Sequence, residues 1–99
     1  MKKEKLYEAF ESMIDEMIPY LRKMSGKMPP LKYYWIDENK FPIFSLLETN
    51  DGKNIFTISG QISDFIKSSL KMDEETLSKF FNRWVKERFK IEITNIYFI

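Results

Sequence analysis

Acidic side chains recur on one face of the N-terminal segment. They are the first residues in this sequence whose types and spacing could form a metal-binding site. They follow one another at intervals of three and four residues, which places them on one side of a helix. They are Glu4, Glu8, Glu11 and Asp15. Carboxylate oxygens bind hard cations, but carboxylate metal sites collect ligands from several helices and usually include His. We therefore predict a solvated face, with no metal site and no cofactor.

The chain contains neither His nor Cys. This excludes thiolate zinc sites, disulfides and Cys nucleophiles within the chain, and also Ser-His-Asp chemistry. It removes the one side chain whose unperturbed pKa lies near neutrality. The three glycines, at 26, 52 and 60, are isolated and form no phosphate cradle. We therefore expect a protein that is not an enzyme.

A group of basic and polar residues could instead meet an anion on one helical face. Its members are Lys79, Asn82, Arg83 and Lys86, of which the three cations lie at i, i+4 and i+7. Such side chains contact phosphates and base edges in nucleic-acid readers. However, Glu87 interrupts the face, and Glu75 lies one turn before Lys79, where the two would pair. A solvated face is thus the competing interpretation.

The same residues fall in a segment, 61–89, that resembles a helix-turn-helix. The stretch LKMDEETLSKFF places Leu70, Met72 and Leu77 where that motif carries its turn-packing apolar residues. The resemblance implies a nucleic-acid-binding regulator with a recognition helix over 73–89. Against it, Glu74 and Glu75 would face phosphate oxygens, and sixteen basic residues against fifteen acidic ones give no basic excess. We favour two packed helices that meet at a corner over a sheet.

Aromatic residues form the second kind of candidate site. In KYYWI (32–36), strand alternation places Tyr33 and Trp35 on one face and Tyr34 on the other. Tyr and Trp are frequent anchors of protein interfaces. Either Tyr33 and Trp35 are exposed to a partner protein, or both faces of this strand are covered within the chain. The pattern leaves the two alternatives open.

The segment IYFI (96–99) is the other candidate, with Tyr97 and Phe98 as its anchors. Bulky residues point to both faces of this strand. Either the strand is central and covered twice, or one face is buried against another chain. Because an exposed apolar strand is an aggregation hazard, we predict a homodimer through the C-terminal strand.

Hydrophobic periodicity supplies the elements that position these residues. We predict a helix over 3–24 with a kink at Pro19, or two helices with Pro19 in the first turn of the second. Strands follow at 32–36, 41–49 and 54–59, with a hairpin turn at NDGK (50–53). Two helices come next, the second capped by Asp73, and then a β-rich end (90–99). The order α-β-β-β-α-α-β predicts one α+β domain over 1–99, with helices packed on a mostly antiparallel sheet.

Together these patterns predict a small non-enzymatic binding protein that acts through another protein, as an adaptor, regulator, inhibitor or small subunit. The alternative is a nucleic-acid-binding regulator that uses segment 61–89. No apolar run is long enough to span a membrane, and the N-terminus lacks the apolar stretch of a signal peptide. We therefore expect a cytoplasmic location and no membrane partner.

Overall fold

The computed structural model describes residues 3–25 and 31–99, and it places the helices of this part of the chain against one face of a five-stranded sheet. The elements in chain order are α1 (Lys3–Met17), β1 (Arg22–Ser25), β2 (Leu31–Ile36), β3 (Pro42–Glu48), β4 (Asn54–Ile58), α2 (Gly60–Leu70), α3 (Glu74–Phe89) and β5 (Asn95–Phe98). The predicted α+β class is confirmed, as is the predicted order for the elements it named.

The N-terminal helix is shorter than predicted. It ends at Met17, and Pro19 lies in the first turn of a short 3-10 helix, Ile18–Tyr20. The predicted alternative with Pro19 in the first turn of a second helix is therefore confirmed. Leu21 then adopts an extended conformation and the chain forms β1, so the predicted helical conformation up to residue 24 is wrong. Proline ends α1 because its ring clashes with the carbonyl four residues earlier and it has no N–H to donate.

The sheet is a meander with one parallel addition. Its strand order is β1-β2-β3-β4-β5, and the first three pairings are antiparallel. β5 pairs with β4 in parallel, and α2 and α3 make the crossover between them. β5 is consequently an edge strand, so the alternative that placed IYFI at the centre of the sheet is wrong.

One face of the sheet and the apolar sides of the helices form the core. Alternation along the strands sends five large side chains to this face: Trp35, Phe44, Leu46, Phe56 and Ile58. The ring of Phe81 on α3 lies 5.8 Å from that of Phe44 and 5.6 Å from that of Phe56. On the far side of α3, Phe80 meets Tyr7 of α1 edge to face at 5.2 Å. The predicted apolar stripe of α3 therefore does point onto the sheet.

The corner between α2 and α3 is built from local chemistry. Lys71 ends α2 in the left-handed conformation, with φ of 52°. Asp73 then caps α3, as predicted, because its Oδ1 accepts the N–H of Thr76 at 2.8 Å. The cap satisfies one of the free donors of the first turn. α3 thus begins at a defined residue, next to the last strand.

Candidate protein-binding surface

Two of the three aromatic residues of β2 lie on the helix side of the sheet. Tyr33 and Trp35 share a face, as alternation predicted. Trp35 is only 2% exposed, and its ring lies 5.6 Å from that of Phe89 and 6.1 Å from that of Phe44. Tyr33 is half-buried, stacks on Phe89 at 5.9 Å and carries the Nζ of Lys23 4.5 Å from its ring centroid. The candidacy of Trp35 as a surface anchor is therefore corrected: the end of α3 covers it.

The opposite face of the sheet carries no helix of the described part of the chain. Its residues alternate with the core residues along each strand and are half-buried by their neighbours alone. They include Tyr34, Ser45, Leu47, Ile55 and Thr57. The hydroxyls of Ser45 and Thr57 hydrogen-bond to each other across β3 and β4. This face is thus ordered, partly apolar and accessible to a partner.

Three large apolar side chains are exposed at one corner of that face. Phe41 is 65% exposed and Ile99 is 74% exposed, and both line a hollow of about 460 Å³ together with Pro42 and Ile43. Tyr97, which is 50% exposed, precedes Ile99 by two residues and so projects to the same side of the sheet. We call the residues Phe41, Ile43, Tyr97 and Ile99 the apolar corner.

Hydrogen bonds in the turn before β3 hold Phe41 in this position. The Oδ1 of Asp37 accepts the backbone N–H groups of Asn39 and Phe41, each at 2.9 Å. The N–H of Lys40 donates to the carbonyl of Asp37 at 3.0 Å, and Lys40 takes a positive φ of 65°. An Asp side chain that bonds the following backbone is a common way to fix such a turn. Phe41 is therefore displayed by a structured turn.

The two anchor candidates of the last strand point to opposite faces. Tyr97 projects outward, whereas Phe98 packs against the core, with the Nζ of Lys67 6.0 Å from its ring centroid. The backbone of Ile99 continues the ladder by donating to the carbonyl of Ile58 at 2.9 Å. Of the four residues predicted to anchor a partner, Tyr97 alone is at least half exposed, whereas Tyr33, Trp35 and Phe98 belong to the helix side.

A groove runs beside β5 on its free side. It has a volume of about 450 Å³ and lies between the first turns of α3 and the strand. The residues that line it are Glu74, Glu75, Ser78, Ile96, Tyr97 and Phe98. Glu75 pairs with Lys79, with 3.5 Å between Oε1 and Nζ, while Glu74 makes no ion pair with a described residue. The groove wall therefore carries negative charge.

The basic residues of α3 are matched by carboxylates. Arg83 binds Glu4 of α1 through two hydrogen bonds of 2.9 and 3.0 Å, and its Nε donates to Glu87 at 2.8 Å. Lys86 donates to Glu92 at 2.9 Å, and this bond lowers the pKa of the Glu92 carboxyl. Asn82 is exposed beside them. The structure thus brings the four nucleic-acid candidates onto one side of α3, with each cation already paired.

Sequence reasoning missed Phe41 and Ile99. A usable signal existed for Ile99, because period-two alternation from Tyr97 places both on one face. Phe41 directly precedes Pro42 and lies at the junction of turn and strand, where alternation does not decide orientation. Within residues 3–25 and 31–99, no group of three acidic side chains is placed to hold a metal ion. None of the described helices combines the length and apolarity needed to cross a bilayer.

Comparison with known proteins adds no relative: no family model matches the chain, and no curated protein or solved structure matches it either.

Proposed function

We propose that this chain is a non-enzymatic protein-binding domain that docks its partner at the apolar corner. The observation that carries the proposal is that Phe41 and Ile99 are exposed and line one hollow at one end of the helix-free face. Tyr97, which is half exposed, lies two residues before Ile99 on the same side of β5. Contiguous exposed apolar residues on an otherwise charged surface are typical of interaction sites. Burying one such side chain contributes about 1.5–3 kcal/mol, so three of them supply a substantial apolar anchor.

The partner that suits this surface is a protein segment with bulky apolar side chains. The hollow of about 460 Å³ is bordered by Pro42 and Ile43, and it also has polar groups from Asp37, Ser59 and Gln61 at its rim. Apolar centres with a polar rim are the usual anatomy of protein interfaces. An adaptor, a regulator, an inhibitor or a small subunit of an assembly would each use such a surface. The cytoplasmic location stays a prediction.

The nucleic-acid alternative has less support than the sequence pattern suggested. A phosphate that approached Lys79, Arg83 or Lys86 would have to displace a carboxylate at each. Binding to duplex DNA at low and moderate salt tests this alternative. A salt-sensitive affinity that disappears in a K79A/R83A/K86A variant would restore it.

The proposal is tested by capture of a partner with matched variants. Wild-type protein, the double variant Phe41→Ser/Ile99→Ser and the control Phe65→Ser are each immobilised and exposed to an extract of cells that encode the chain. Phe65 is a suitable control because it is 52% exposed but lies on α2. Any retained protein is then purified, and its affinity for all three forms is measured by calorimetry.

We expect one stoichiometric partner with the wild type and with Phe65→Ser, and an affinity at least about tenfold weaker for the double variant, since two buried anchors are lost. Equal affinity for the double variant and the wild type would refute docking at the apolar corner. Retention of no partner by the wild type would refute it as well.

A further inference from the structure

The free edge of β5 presents backbone groups that no described strand satisfies. β5 is the last strand in the order of the sheet and pairs on one side only. Alternate residues of a parallel strand bond to opposite neighbours. Because Ile99 donates to the carbonyl of Ile58, Ile96 and Phe98 direct their N–H and C=O groups away from β4. These groups face the groove beside α3.

This edge lacks the protection that the opposite edge has. β1, at the other end of the sheet, carries Arg22 and Lys23. Charged residues on an edge strand prevent unwanted pairing with other chains. The sequence of β5, Asn95-Ile96-Tyr97-Phe98, contains no charged residue and no proline. Two edges of one sheet thus differ, and the uncharged one is the edge suited to accept a strand.

The size and the negative charge of the groove beside this edge suit an added strand with basic side chains. A strand that pairs with β5 lies about 4.8 Å away, within the groove of about 450 Å³ bounded by the first turns of α3. Its side chains on that side would meet Glu74 and Glu75. Binding by strand addition derives its affinity from main-chain hydrogen bonds and its specificity from such side-chain contacts.

We propose that β5 accepts an extended segment of the partner protein as an additional strand, and that this segment carries Lys or Arg opposite Glu74, which makes no ion pair with a described residue. The inference rests on the proposed function and extends it. The backbone of the bound segment pairs with Ile96 and Phe98. Its side chains on the helix-free face contact the apolar corner, beginning at Tyr97. The partner is thereby defined as a basic, apolar, strand-forming peptide segment.

A second copy of this chain fits the edge less well. Antiparallel pairing of two β5 strands about a two-fold axis would place both α3 helices on the same side of the joined sheet. Glu74 and Glu75 of the two copies would then lie on that one side, and like charges that approach each other are unfavourable. The predicted homodimer is therefore an outcome of the test and not the occupant proposed here.

The probe for this inference is a random peptide library displayed on phage, selected against the immobilised protein. Enriched peptides are synthesised and titrated into isotopically labelled protein while backbone amide shifts are followed. We expect enriched sequences that alternate apolar residues with Lys or Arg. Their binding should shift the amides of Ile96 and Phe98 most and slow the hydrogen exchange of both.

One modified peptide and two protein variants test whether binding depends on backbone hydrogen bonds and on the charge of Glu74. Methylation of alternate backbone nitrogens in the peptide should weaken binding about thirtyfold, since two hydrogen bonds of about 1 kcal/mol each are lost. Glu74→Lys should weaken binding about two- to fivefold, as expected for one exposed charge pair. The control Glu16→Lys is exposed and follows Asp15, which binds Arg88 at the opposite end of α3 from Glu74. It should leave the affinity unchanged.

The inference is overturned if no peptide is enriched, if enriched peptides are acidic or helical, or if methylation leaves their affinity unchanged. It is also overturned if the free protein is a dimer whose Ile96 and Phe98 amides are already protected. Failure here is distinguishable from failure of the proposed function. One result would support docking at the apolar corner and refute strand addition. In it, Phe41→Ser/Ile99→Ser fails to capture the partner, while the amide shifts of Ile96 and Phe98 in the wild type do not change on binding.

Discussion

Arg83 of α3 joins Glu4 of α1 through two hydrogen bonds, although the two residues are 79 positions apart in the chain. The same guanidinium group donates to Glu87 and lies 3.9 Å from the ring centroid of Tyr7. Arg83 is thus engaged on three sides by its own chain. Its role in this structure is to tie α1 to α3, and an anion that approached Arg83 would have to displace a carboxylate.

The Arg83–Glu4 pair makes stability depend on pH in a defined direction. The hydrogen bonds from Arg83 hold the pKa of the Glu4 carboxyl below its ordinary value of 4.5. A carboxyl whose pKa is lowered by folding adds stability above its unfolded pKa and loses that contribution as pH falls through the folded value. We therefore expect Glu4→Gln to lower the urea midpoint at neutral pH. The difference from wild type should shrink as pH falls below 4.5 and vanish once pH is below the pKa of Glu4 in the folded protein.

Glu8 offers the matched control for this measurement. It lies one turn from Glu4 on α1, is exposed, and forms no ion pair with a described residue. Glu8→Gln should therefore leave the urea midpoint close to that of the wild type across the same pH range. A loss in Glu4→Gln that persists unchanged in acid would show that the ion pair is not the source of the effect.

Phe81 is expected to be the most sensitive position of α3. Its ring contacts those of Phe10, Phe44 and Phe56 and is fully buried. Phe81→Ala should lower the free energy of unfolding by about 3–5 kcal/mol because it leaves a cavity between α1 and the sheet. Phe65→Ala, on the exposed side of α2, should change it by no more than about 0.5 kcal/mol. Urea unfolding followed by tryptophan fluorescence measures both.

If the two Phe variants lose similar stability, the placement of α3 on the sheet is wrong. That placement matters beyond the core, because α3 also forms one wall of the groove beside β5. The pair of variants therefore tests the wall and the core together.

Tyr7 carries a buried hydroxyl with no hydrogen-bond partner among the described residues. Burial is the main cause that raises the pKa of this phenol to about 12. Tyr7→Phe removes an unpaired polar group, so the free energy of unfolding should stay constant or rise by up to about 1 kcal/mol. A decrease of more than about 1 kcal/mol would show that the hydroxyl has a partner.

Ser63 is the contrasting case for this prediction. It is also buried, but its Oγ donates to the carbonyl of Gly60 at 3.0 Å. Ser63→Ala should therefore lower the free energy of unfolding by about 1 kcal/mol. Thermal unfolding of Tyr7→Phe and Ser63→Ala compares the loss of stability at a buried hydroxyl without a hydrogen-bond partner with that at a buried hydroxyl that has one.

Local patterns predicted those parts of the fold that local chemistry determines. The Asp73 cap and the apolar stripe of α3 follow from side chains a few positions apart, and both are confirmed. The strand β1 was missed because Leu21 and Met24 continue the spacing of α1, and Arg22–Ser25 has no β-branched residue. Its extended conformation follows from pairing with β2, which no local window contains.

In the candidate site, too, spacing predicted the contacts within one element but not those between elements. Spacing predicted the pair between Glu75 and Lys79, which the structure confirms at 3.5 Å. Spacing could not predict the pair between Arg83 and Glu4, since only the packing of α1 on α3 brings them together. Likewise, alternation showed that Tyr33 and Trp35 share a face of β2, but the covered face is decided by where the helices lie.

Amide hydrogen exchange at the last strand tests the central claim most directly. In the monomeric free protein, we expect the Ile96 and Phe98 amides to exchange rapidly, and the Ile99 amide, which donates to the carbonyl of Ile58, to exchange slowly. A saturating partner or selected peptide should slow exchange at Ile96 and Phe98. Slow exchange at both positions in the free monomer, or unchanged rapid exchange in the complex, would contradict the account.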